Sequence, residues 1–365
     1  MFAFVVGTTA EVIKVAPVMR ELRERGEKYQ LWCTDQHVTG MSETLRDLDI
    51  AEPDIHFISD KHRAHIASTG QVPGWFARLA WTILRHRRAL AARLASDGKP
   101  GVVIVHGDTF STVIGALIGR LLGVNVAHVE AGLRSGSWKN PFPEEANRRI
   151  VGKIATIHYA PTEVEVKNLE DAKAPGRVVL TDANTVVDAL RFAMDSGAET
   201  PDLPENFGLV TLHRFELLRD SESFTAIVRA LAEAAKDYPL VMLAGQSERT
   251  KLRELGLDSL FSNDGNLRLI AKRPYASFLP VLTRADFVVT DSGGLQEECA
   301  ALGVPCAVHR LRTERFQGIG ENVVLTKLDL AILRDFLANW RELRRPSLLD
   351  SLHPSRIIAD DLQRG

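Results

Sequence analysis

The chain has 365 residues, of which 45% are hydrophobic, with 45 basic and 47 acidic side chains and a formal net charge of −2. This length is enough for two hydrophobic cores, and the balanced charge gives no reason to expect a nucleic-acid or membrane-surface partner. Three cysteines, Cys33, Cys299 and Cys306, lack the spacing of a disulfide framework or a zinc site. The composition predicts a two-domain protein of the reducing cytoplasm.

The sequence contains no segment that is typical of secretion or of membrane insertion. The opening residues, 1–14, have no basic segment ahead of a short apolar run, unlike a secretory signal. No run of about 18 uninterrupted apolar residues occurs, which is the length a membrane span needs. The nearest candidate, 75–94, is interrupted by arginines and is predicted to be a basic amphipathic helix.

In the first half of the chain, short apolar runs alternate with helical patterns, as in βαβ units with a parallel sheet. Strands are predicted at 2–6, 29–33, 102–106, 126–130 and 157–160. The first predicted helix begins in the turn GTTAE, residues 7–11, and ends at Gly26. Further helices are predicted at 40–48, 112–122, 144–154 and 164–169.

A polar segment with two prolines, 196–206, then breaks the pattern and is predicted to be a linker. Beyond it, strands are predicted at 208–212, 239–243, 267–270, 287–290 and 306–308. Helices are predicted at 221–236, 275–283, 294–302 and 329–342. The pattern predicts an α/β fold with two Rossmann-like domains, 1–195 and 206–345, whose mostly parallel sheets face each other across a cleft. Ligands of such sheets bind at the carboxyl ends of the strands.

The segment 290–298, TDSGGLQEE, follows a predicted strand and opens a predicted helix. Gly293 and Gly294 would allow a ligand close to the backbone, and the free N–H groups and dipole of a helix N-terminus suit a diphosphate. Glu298 shares a helix face with Gly294 and could reach a ribose diol. The alternative is an N-cap by Ser292 followed by glycines for a tight turn.

The equivalent turn of the first half, 7–11, has one glycine and no basic residue. It is therefore a weak signal for phosphate. A capped turn, with Thr8 or Thr9 as the N-cap, explains it better.

Four polar clusters are predicted to lie at or just after the ends of strands. Three clusters come from the first half of the chain and one from the second. A closed cleft between the halves would therefore gather the carboxylates around a substrate, with His213 on the opposite side. Such a group suits proton transfer at carbon and at a leaving oxygen. Taken singly, Asp108 could cap a helix and His128 could be a hydrogen-bonded core histidine. The clusters are 106–109, 128–134, 143–148 and 211–216.

Other candidate sites have simpler explanations. His37 has no histidine or cysteine partner at ligand spacing, so neither a metal nor a cofactor is predicted. Cys299 and Cys306 lie in apolar surroundings and are expected to be inert thiols. The arginine-rich stretch 85–93 is predicted to be a solvated face, with an anion-binding cleft or a subunit contact as the alternative.

Seven motifs, in order GTTAEVIKVAPV, HGDT, HVEAGLRSG, PFPEEANR, NTVVDAL, TLHR and TDSGGLQEE, resemble those of the UDP-N-acetylglucosamine 2-epimerase family over almost the whole chain. The resemblance implies a GT-B fold, with the active site in the cleft and a C-terminal helix, 350–365, that packs back on the first domain. A UDP-sugar substrate and a homodimer are predicted.

The resemblance also implies a mechanism. Members of the family remove the proton at carbon 2 of the sugar while UDP leaves carbon 1, which gives a 2-acetamidoglucal. Non-hydrolysing members add UDP again and interconvert UDP-GlcNAc and UDP-ManNAc, and this is the predicted activity. The alternatives are a hydrolysing enzyme that releases UDP and ManNAc, a 2-epimerase of a modified UDP-sugar, a glycosyltransferase, and an inactive nucleotide-sugar-binding regulator.

The functional residues of the family fall on matching positions of this sequence. The implied catalytic residues are Asp108, Glu130, Glu144 and His213. The implied substrate-binding residues are Lys14, Arg134, Arg148, Arg214, Phe278, Ser292, Gly293, Gly294 and Glu298.

Three segments depart from the family pattern. Thr9 replaces an arginine that would contact the diphosphate, and 314–318 reads ERFQG where ERPEA is usual. At 244–247, AGQS replaces the stretch where bacterial non-hydrolysing members have a histidine that contacts an activating second UDP-sugar. Although Gln36 and His37 of that region remain, activation by a second sugar is not expected.

Overall fold

The computed structural model describes residues 1–36, 39–58, 72–95, 101–136, 142–195 and 202–364. The chain divides into two compact units, the first formed by Met1–Ala189 with Leu352–Gly365 and the second by Leu190–Ser351. Each unit is built on one parallel sheet. The predicted α/β fold with two Rossmann-like units is confirmed.

The sheet of the first unit has its strands in the order β3-β2-β1-β4-β5-β6-β7, with all pairs parallel. These strands are β1 (Phe2–Val6), β2 (Tyr29–Cys33), β3 (Ile55–His56), β4 (Val102–His106), β5 (Asn125–Val129), β6 (Ile157–Ala160) and β7 (Arg177–Leu180). Both central strands, β1 and β4, are buried along their whole length. Continuous apolar sequence is expected there, because a parallel sheet is covered on both faces.

The helices of the first unit are α1 (Thr9–Glu24), α2 (Met41–Asp47), α3 (Val72–Leu94), α4 (Phe110–Leu122), α5 (Glu144–Ile154), α6 (Glu163–Asp171), α7 (Val186–Asp195) and α14 (Pro354–Arg364). Two of them begin at capping boxes, α1 at Thr8 and α4 at Thr109. Helix α4 ends at Gly123, whose φ of 71° suits glycine. Apolar residues of α3 and α4, such as Leu79 and Ile114, share one core with β4.

The C-terminal helix α14 belongs to the first unit and packs against α1. Ile358 and Ala359 are buried on its inner face. The Tyr159 hydroxyl donates to Asp361 Oδ2 at 2.8 Å, and Arg177 Nη2 lies 2.8 Å from the same oxygen. Apolar burial and a shared carboxylate thus hold this helix against the sheet.

The sheet of the second unit has the order β10-β9-β8-β11-β12-β13, again with all pairs parallel. Its strands are β8 (Gly208–Thr211), β9 (Leu240–Ala244), β10 (Leu267–Ala271), β11 (Phe287–Thr290), β12 (Cys306–Val308) and β13 (Val323–Leu325). Its helices are α8 (Phe215–Arg219), α9 (Ser221–Ala234), α10 (Gln246–Glu254), α11 (Tyr275–Arg284), α12 (Gly293–Leu302) and α13 (Leu330–Asn339). Thr290 pairs with Thr211, so the loops after β11 and β8 emerge side by side.

The division between the units falls between Ala189 and Leu190, inside α7, and the second unit extends to Ser351. The sequence places the boundary in the polar segment 196–206, of which 196–201 lie outside the described residues. Polar composition marks exposed chain, whereas a boundary depends on which residues pack together, so the two need not coincide.

Several short or polar elements were not predicted. Strands β3, β7 and β13 are short. Helix α10 contains only two buried residues, Glu248 and Leu252, so its sequence has almost no hydrophobic periodicity. Residues 126–130 were predicted as one strand, but β5 ends at Val129 and Glu130 adopts a φ of 65°. Because of this φ, the side chain of Glu130 is not directed as it would be in an extended strand.

No helix within the described ranges combines the length and the apolar character that crossing a membrane requires.

Candidate active site

Strands β1, β4 and β5 are neighbours, so their carboxyl ends bring three predicted residues to one edge of the first sheet. Glu130 follows β5 directly, Asp108 follows β4 by two residues, and Lys14 lies in the helix after β1. The parallel topology therefore assembles a charged group from segments far apart in sequence.

Glu130 is a buried carboxylate, with 5% of the residue exposed. Its Oε2 accepts hydrogen bonds from Lys14 Nζ, at 2.5 Å, and from Asn184 Nδ2. His106 Nε2 lies 3.6 Å from the same oxygen. Burial of a lone carboxylate is costly, so these donors compensate a charge that would otherwise be unfavourable. Asn184 and His106 were not in the predicted site, although both belong to motifs that the sequence analysis identified.

Asp108 is partly exposed and forms a two-pronged pair with the buried Arg148. The Nε and Nη2 atoms of Arg148 lie 2.9 and 2.6 Å from Asp108 Oδ2. Asn147 Nδ2 also donates to the Asp108 carbonyl oxygen at 2.8 Å. Arg148 was predicted as a substrate-binding residue, and the structure places it on Asp108, whose orientation it fixes.

Glu11 connects the turn before α1 with the turn that carries Asp108. Its Oε2 accepts bonds from the backbone N–H groups of Gly7 and Thr8, and its Oε1 accepts from Thr109 Oγ1 at 2.7 Å. Burial raises the pKa of Glu11, and these donors oppose the rise. A carboxylate of the protein thus occupies the N-terminus of α1, as the capped-turn interpretation predicts, and leaves this turn unsuited to phosphate.

Glu144 opens α5, and Arg134 lies in the loop after β5, with its Nη2 atom 3.7 Å from a Cβ built on Gly152 of α5. The Arg134 Nη1 atom donates to the Leu133 carbonyl at 2.7 Å, and burial lowers the pKa of Arg134. The neighbouring Glu145 is fully buried and accepts from Ser135 N at 3.0 Å. Glu145, which the sequence analysis did not single out, therefore ties the loop after β5 to α5.

In the second unit, α12 begins immediately after the loop from β11. Ser292 caps the helix, with its Oγ 3.4 Å from Leu295 N. A Cβ built on Gly294 would meet only Ser292 Oγ, at 3.9 Å, among the described atoms within 4 Å. A Cβ on Gly293 would lie 2.8 Å from Arg315 Nε. Gly294 thus faces open space, whereas Gly293 allows an arginine to approach the helix N-terminus.

Two arginines near this N-terminus, Arg310 and Arg315, were not predicted as site residues. Arg310 Nη2 lies 3.2 Å from Glu314 Oε2, and Arg315 Nη1 lies 2.5 Å from Glu297 Oε2. Burial lowers the pKa of Arg310. The sequence does contain a signal, because the departing segment ERFQG keeps the arginine of the family's ERPEA. The combination of glycines, helix dipole and arginines suits an anion.

His213 and Arg214 follow β8 and contact Asp291, which follows β11. Asp291 Oδ2 accepts from the backbone N–H of His213 at 2.9 Å and of Arg214 at 2.8 Å. His213 Nδ1 lies 3.2 Å from Asp291 Oδ1, and Arg214 Nε donates to the Asp291 carbonyl at 2.9 Å. The predicted histidine and arginine therefore lie beside the turn that precedes α12.

Glu298 is buried in α12, one turn after Gly294. Its Oε1 accepts from the Tyr275 hydroxyl at 2.8 Å. Burial and the charge of Glu298 raise the pKa of Tyr275 well above its ordinary value, so the hydroxyl remains a donor. Phe278 is partly buried one turn further along the helix α11 that begins with Tyr275. Tyr275, absent from the predicted site, fixes one oxygen of Glu298.

Among the described residues, Cys33, Asp35 and His56 bring three potential metal-ligand atoms within 4.8 Å of one another. Asp35 already lies 2.8 Å from His56 Nδ1 through Oδ1, and its N–H donates to Cys33 Sγ at 3.4 Å. Burial raises the pKa of the Cys33 thiol, so a metal would have to displace a firmly held proton. This group is best explained as a link between β2 and β3, and the absence of a metal stays a prediction. His37 lies outside the described residues.

The chain has clear similarity to known proteins. The sequence profile described as UDP-N-acetylglucosamine 2-epimerase matches residues 20–334. A UDP-N-acetylglucosamine 2-epimerase of Yersinia pestis is 33% identical over 335 residues, which cover 88% of this chain and 85% of that protein.

Two solved structures are similar over the whole chain. The UDP-GlcNAc 2-epimerase of Neisseria meningitidis bound to UDP-GlcNAc has a TM-score of 0.80 and 26% identity, with all of both chains covered. The Methanocaldococcus jannaschii UDP-GlcNAc 2-epimerase in complex with UDP-GlcNAc and UDP has a TM-score of 0.74 and 26% identity, covering 100% of this chain and 99% of that one.

The two glycines at the start of α12 are expected to respond differently to substitution. Gly293→Ala should lower the free energy of unfolding by about 1–3 kcal/mol, because the new methyl group would crowd Arg315. Gly294→Ala, the matched control, should leave it unchanged or raise it by up to about 1 kcal/mol, because alanine favours the helix and finds open space. Urea unfolding of both variants measures the difference. Equal loss of stability in both would contradict this account of the turn.

Proposed function

The chain belongs to the UDP-N-acetylglucosamine 2-epimerase family, as its motifs predict, and we propose that it interconverts UDP-GlcNAc and UDP-ManNAc without hydrolysis. The observation that carries this proposal is the charged group at the end of β4 and β5, where Asp108 and Glu130 are each paired with a cation. Carboxylates held in fixed positions suit removal and return of a proton at carbon 2.

We assign nucleotide binding to the second unit. We assign the diphosphate to the turn of Ser292, Gly293 and Gly294, because the first N–H groups of a helix have no partner within the helix. Glu298, held by Tyr275, is assigned to the ribose. His213 and Arg214, which Asp291 holds beside this turn, are assigned to the departing diphosphate.

The proposed reaction has two halves. A carboxylate of the first unit takes the carbon 2 proton while the carbon 1–oxygen bond to UDP breaks, which leaves a 2-acetamidoglucal and UDP. Addition of UDP to carbon 1, with a proton delivered to the opposite face of carbon 2, completes the inversion. Arg148 and Lys14 keep Asp108 and Glu130 oriented and charge-compensated, so little reorganisation is needed.

This proposal is tested by incubating the protein with UDP-GlcNAc in deuterium oxide and following the products by NMR. Elimination requires that deuterium from the solvent appears at carbon 2. A non-hydrolysing enzyme gives an equilibrium mixture of two intact UDP-sugars. Stoichiometric release of UDP with a free reducing sugar would establish the hydrolysing alternative, and epimerisation without solvent exchange would contradict the elimination itself.

Variants in each unit should separate proton transfer from nucleotide binding. Asp108→Asn, Glu130→Gln and Glu144→Gln are each expected to lower turnover by about 10²-fold or more, with UDP affinity little changed. Gly294→Val should weaken UDP binding by about 2 kcal/mol or more, because its side chain would fill the open space beside the turn. Kinetics and titration calorimetry give the two readouts. Near wild-type turnover in two of the three carboxylate variants would contradict the assignment.

We also propose that the protein is a homodimer that acts in the cytoplasm. Large apolar side chains are exposed on three helices of the first unit, of which the middle one packs against the other two. We call these side chains the apolar patch, and their exposure to water is unfavourable. They are Trp81 and Leu84 of α3, Leu117 and Leu121 of α4, and Ile150 of α5. The cytoplasmic assignment is supported by the thiols of Cys33, Cys299 and Cys306, which are buried and not in disulfides.

The dimer is expected to depend on this patch. Sedimentation equilibrium should give twice the mass of the chain, and Leu117→Glu should give a monomer, because a charge would be buried in the contact. Leu260→Glu, which changes an exposed leucine of the second unit, is the matched control and should leave the dimer intact. A monomeric wild-type protein would refute the proposal.

A further inference from the structure

Asp291 occupies the position between β11 and the cap of α12, where it faces the loop after β8. It is almost fully buried, with 1% of the residue exposed, and its N–H donates to the Thr211 carbonyl oxygen at 3.2 Å. The pairing of Thr290 with Thr211 fixes the two loops side by side. The backbone therefore determines where the carboxylate of Asp291 points.

The two carboxylate oxygens of Asp291 have different neighbours. Oδ2 accepts from two backbone N–H groups, those of His213 and Arg214, at 2.9 and 2.8 Å. Oδ1 lies 3.1 Å from the His213 N–H and 3.2 Å from the ring atom Nδ1 of the same residue. Both oxygens thus hold the loop through backbone N–H groups, and Oδ1 also faces the imidazole.

The imidazole of His213 is far more exposed than the carboxylate that it faces. Its side chain is 42% exposed, whereas that of Asp291 is 1% exposed. A carboxylate is an acceptor without a proton to donate, so the ring atom that faces it is favoured as an N–H donor. In a neutral imidazole only one nitrogen carries a proton, which leaves the other nitrogen as the acceptor.

We propose that Asp291 is a positioning residue that keeps the proton of neutral His213 on Nδ1, so that Nε2 is the atom that exchanges a proton with the substrate. The catalytic role given to His213 in this inference rests on the proposed function. The assignment of the His213 tautomer does not depend on it. Asp291 contacts His213 and Arg214 and is not assigned a contact with the sugar.

The proton balance of this arrangement is simple. In the protonated ring, Nε2 gives its proton to an oxygen of the departing diphosphate, and the ring becomes the neutral Nδ1–H form. The proton on Nδ1 stays beside Asp291 throughout. When UDP is added again, the same oxygen returns the proton to Nε2. Asp291 stabilises the charged ring, as a neighbouring carboxylate does for a histidine base or acid.

An asparagine at position 291 should reverse the tautomer. The amide oxygen would take the place of Oδ2, because two backbone N–H groups require an acceptor there. The amide NH₂ would then occupy the place of Oδ1 and donate toward Nδ1. Nδ1 would become the acceptor, and Nε2 would carry the proton. In this form of the ring, Nε2 cannot accept a proton from the substrate.

The experiment measures the tautomer directly, by ¹⁵N NMR of the protein with ring-labelled histidine. His213→Gln assigns the signal of His213 among the eleven histidines. Spectra are recorded about two pH units above the ordinary histidine pKa of about 6.5, so that neutral rings predominate. The wild-type protein is expected to show the Nδ1–H form of His213, and Asp291→Asn the Nε2–H form.

Steady-state kinetics provide the second readout. Asp291→Asn should lower kcat by about 10²-fold or more while KM for UDP-GlcNAc changes by less than about threefold, because the substrate contacts remain. The matched control is Asp286→Asn at the other end of β11, where the carboxylate accepts from Phe207 N and the Tyr238 hydroxyl. This variant should change neither the His213 tautomer nor kcat.

The outcomes separate this inference from the proposed function. An Nε2–H form in the wild-type protein, or full kcat in Asp291→Asn, would overturn the role of Asp291 even if the enzyme epimerises UDP-GlcNAc. The predicted tautomers in a protein that does not epimerise would instead uphold the positioning of His213 and refute the proposed function. If Asp291→Asn fails to fold, the wild-type spectrum still decides between the two tautomers.

Discussion

Buried carboxylates that accept hydrogen bonds from backbone N–H groups hold the loops at the carboxyl ends of the strands in both units. In the first unit, Glu11 binds the N–H groups of Gly7 and Thr8 and also the hydroxyl of Thr109, next to Asp108. In the second unit, Asp291 binds the N–H groups of His213 and Arg214. A parallel sheet places such loops at one edge, where their N–H groups lie outside the ladder of strand pairs. A carboxylate satisfies several of them at once and fixes the loops relative to one another.

The same principle explains why the two units are suited to different ligands. At the start of α1 the carboxylate of Glu11 fills the position that an external anion would need. At the start of α12 the cap is the neutral Ser292, while Gly293 gives access to Arg315. An anion is therefore favoured at α12 and disfavoured at α1.

The sequence was sufficient to predict the two parallel sheets, because long buried strands such as β1 and β4 read as continuous apolar runs. It could not predict the positive φ of Glu130 or the pairing of Arg148 with Asp108. Both depend on which loops the strand order brings together, which no local pattern encodes. The family motifs imply which residues form the site, but they do not distinguish a residue that contacts substrate from one that holds a carboxylate in place.

Charge compensation at the start of α12 has a consequence for how UDP would be handled. Arg310 and Arg315 are paired with Glu314 and Glu297 before any ligand binds. A diphosphate would therefore meet a fixed field of helix dipole and partly compensated arginines, not a set of unpaired cations. Such a field stabilises negative charge without having to reorganise as the charge develops. An enzyme that must release UDP from carbon 1 and then add the same UDP again needs this property, because UDP must remain bound through the intermediate yet stay free to react.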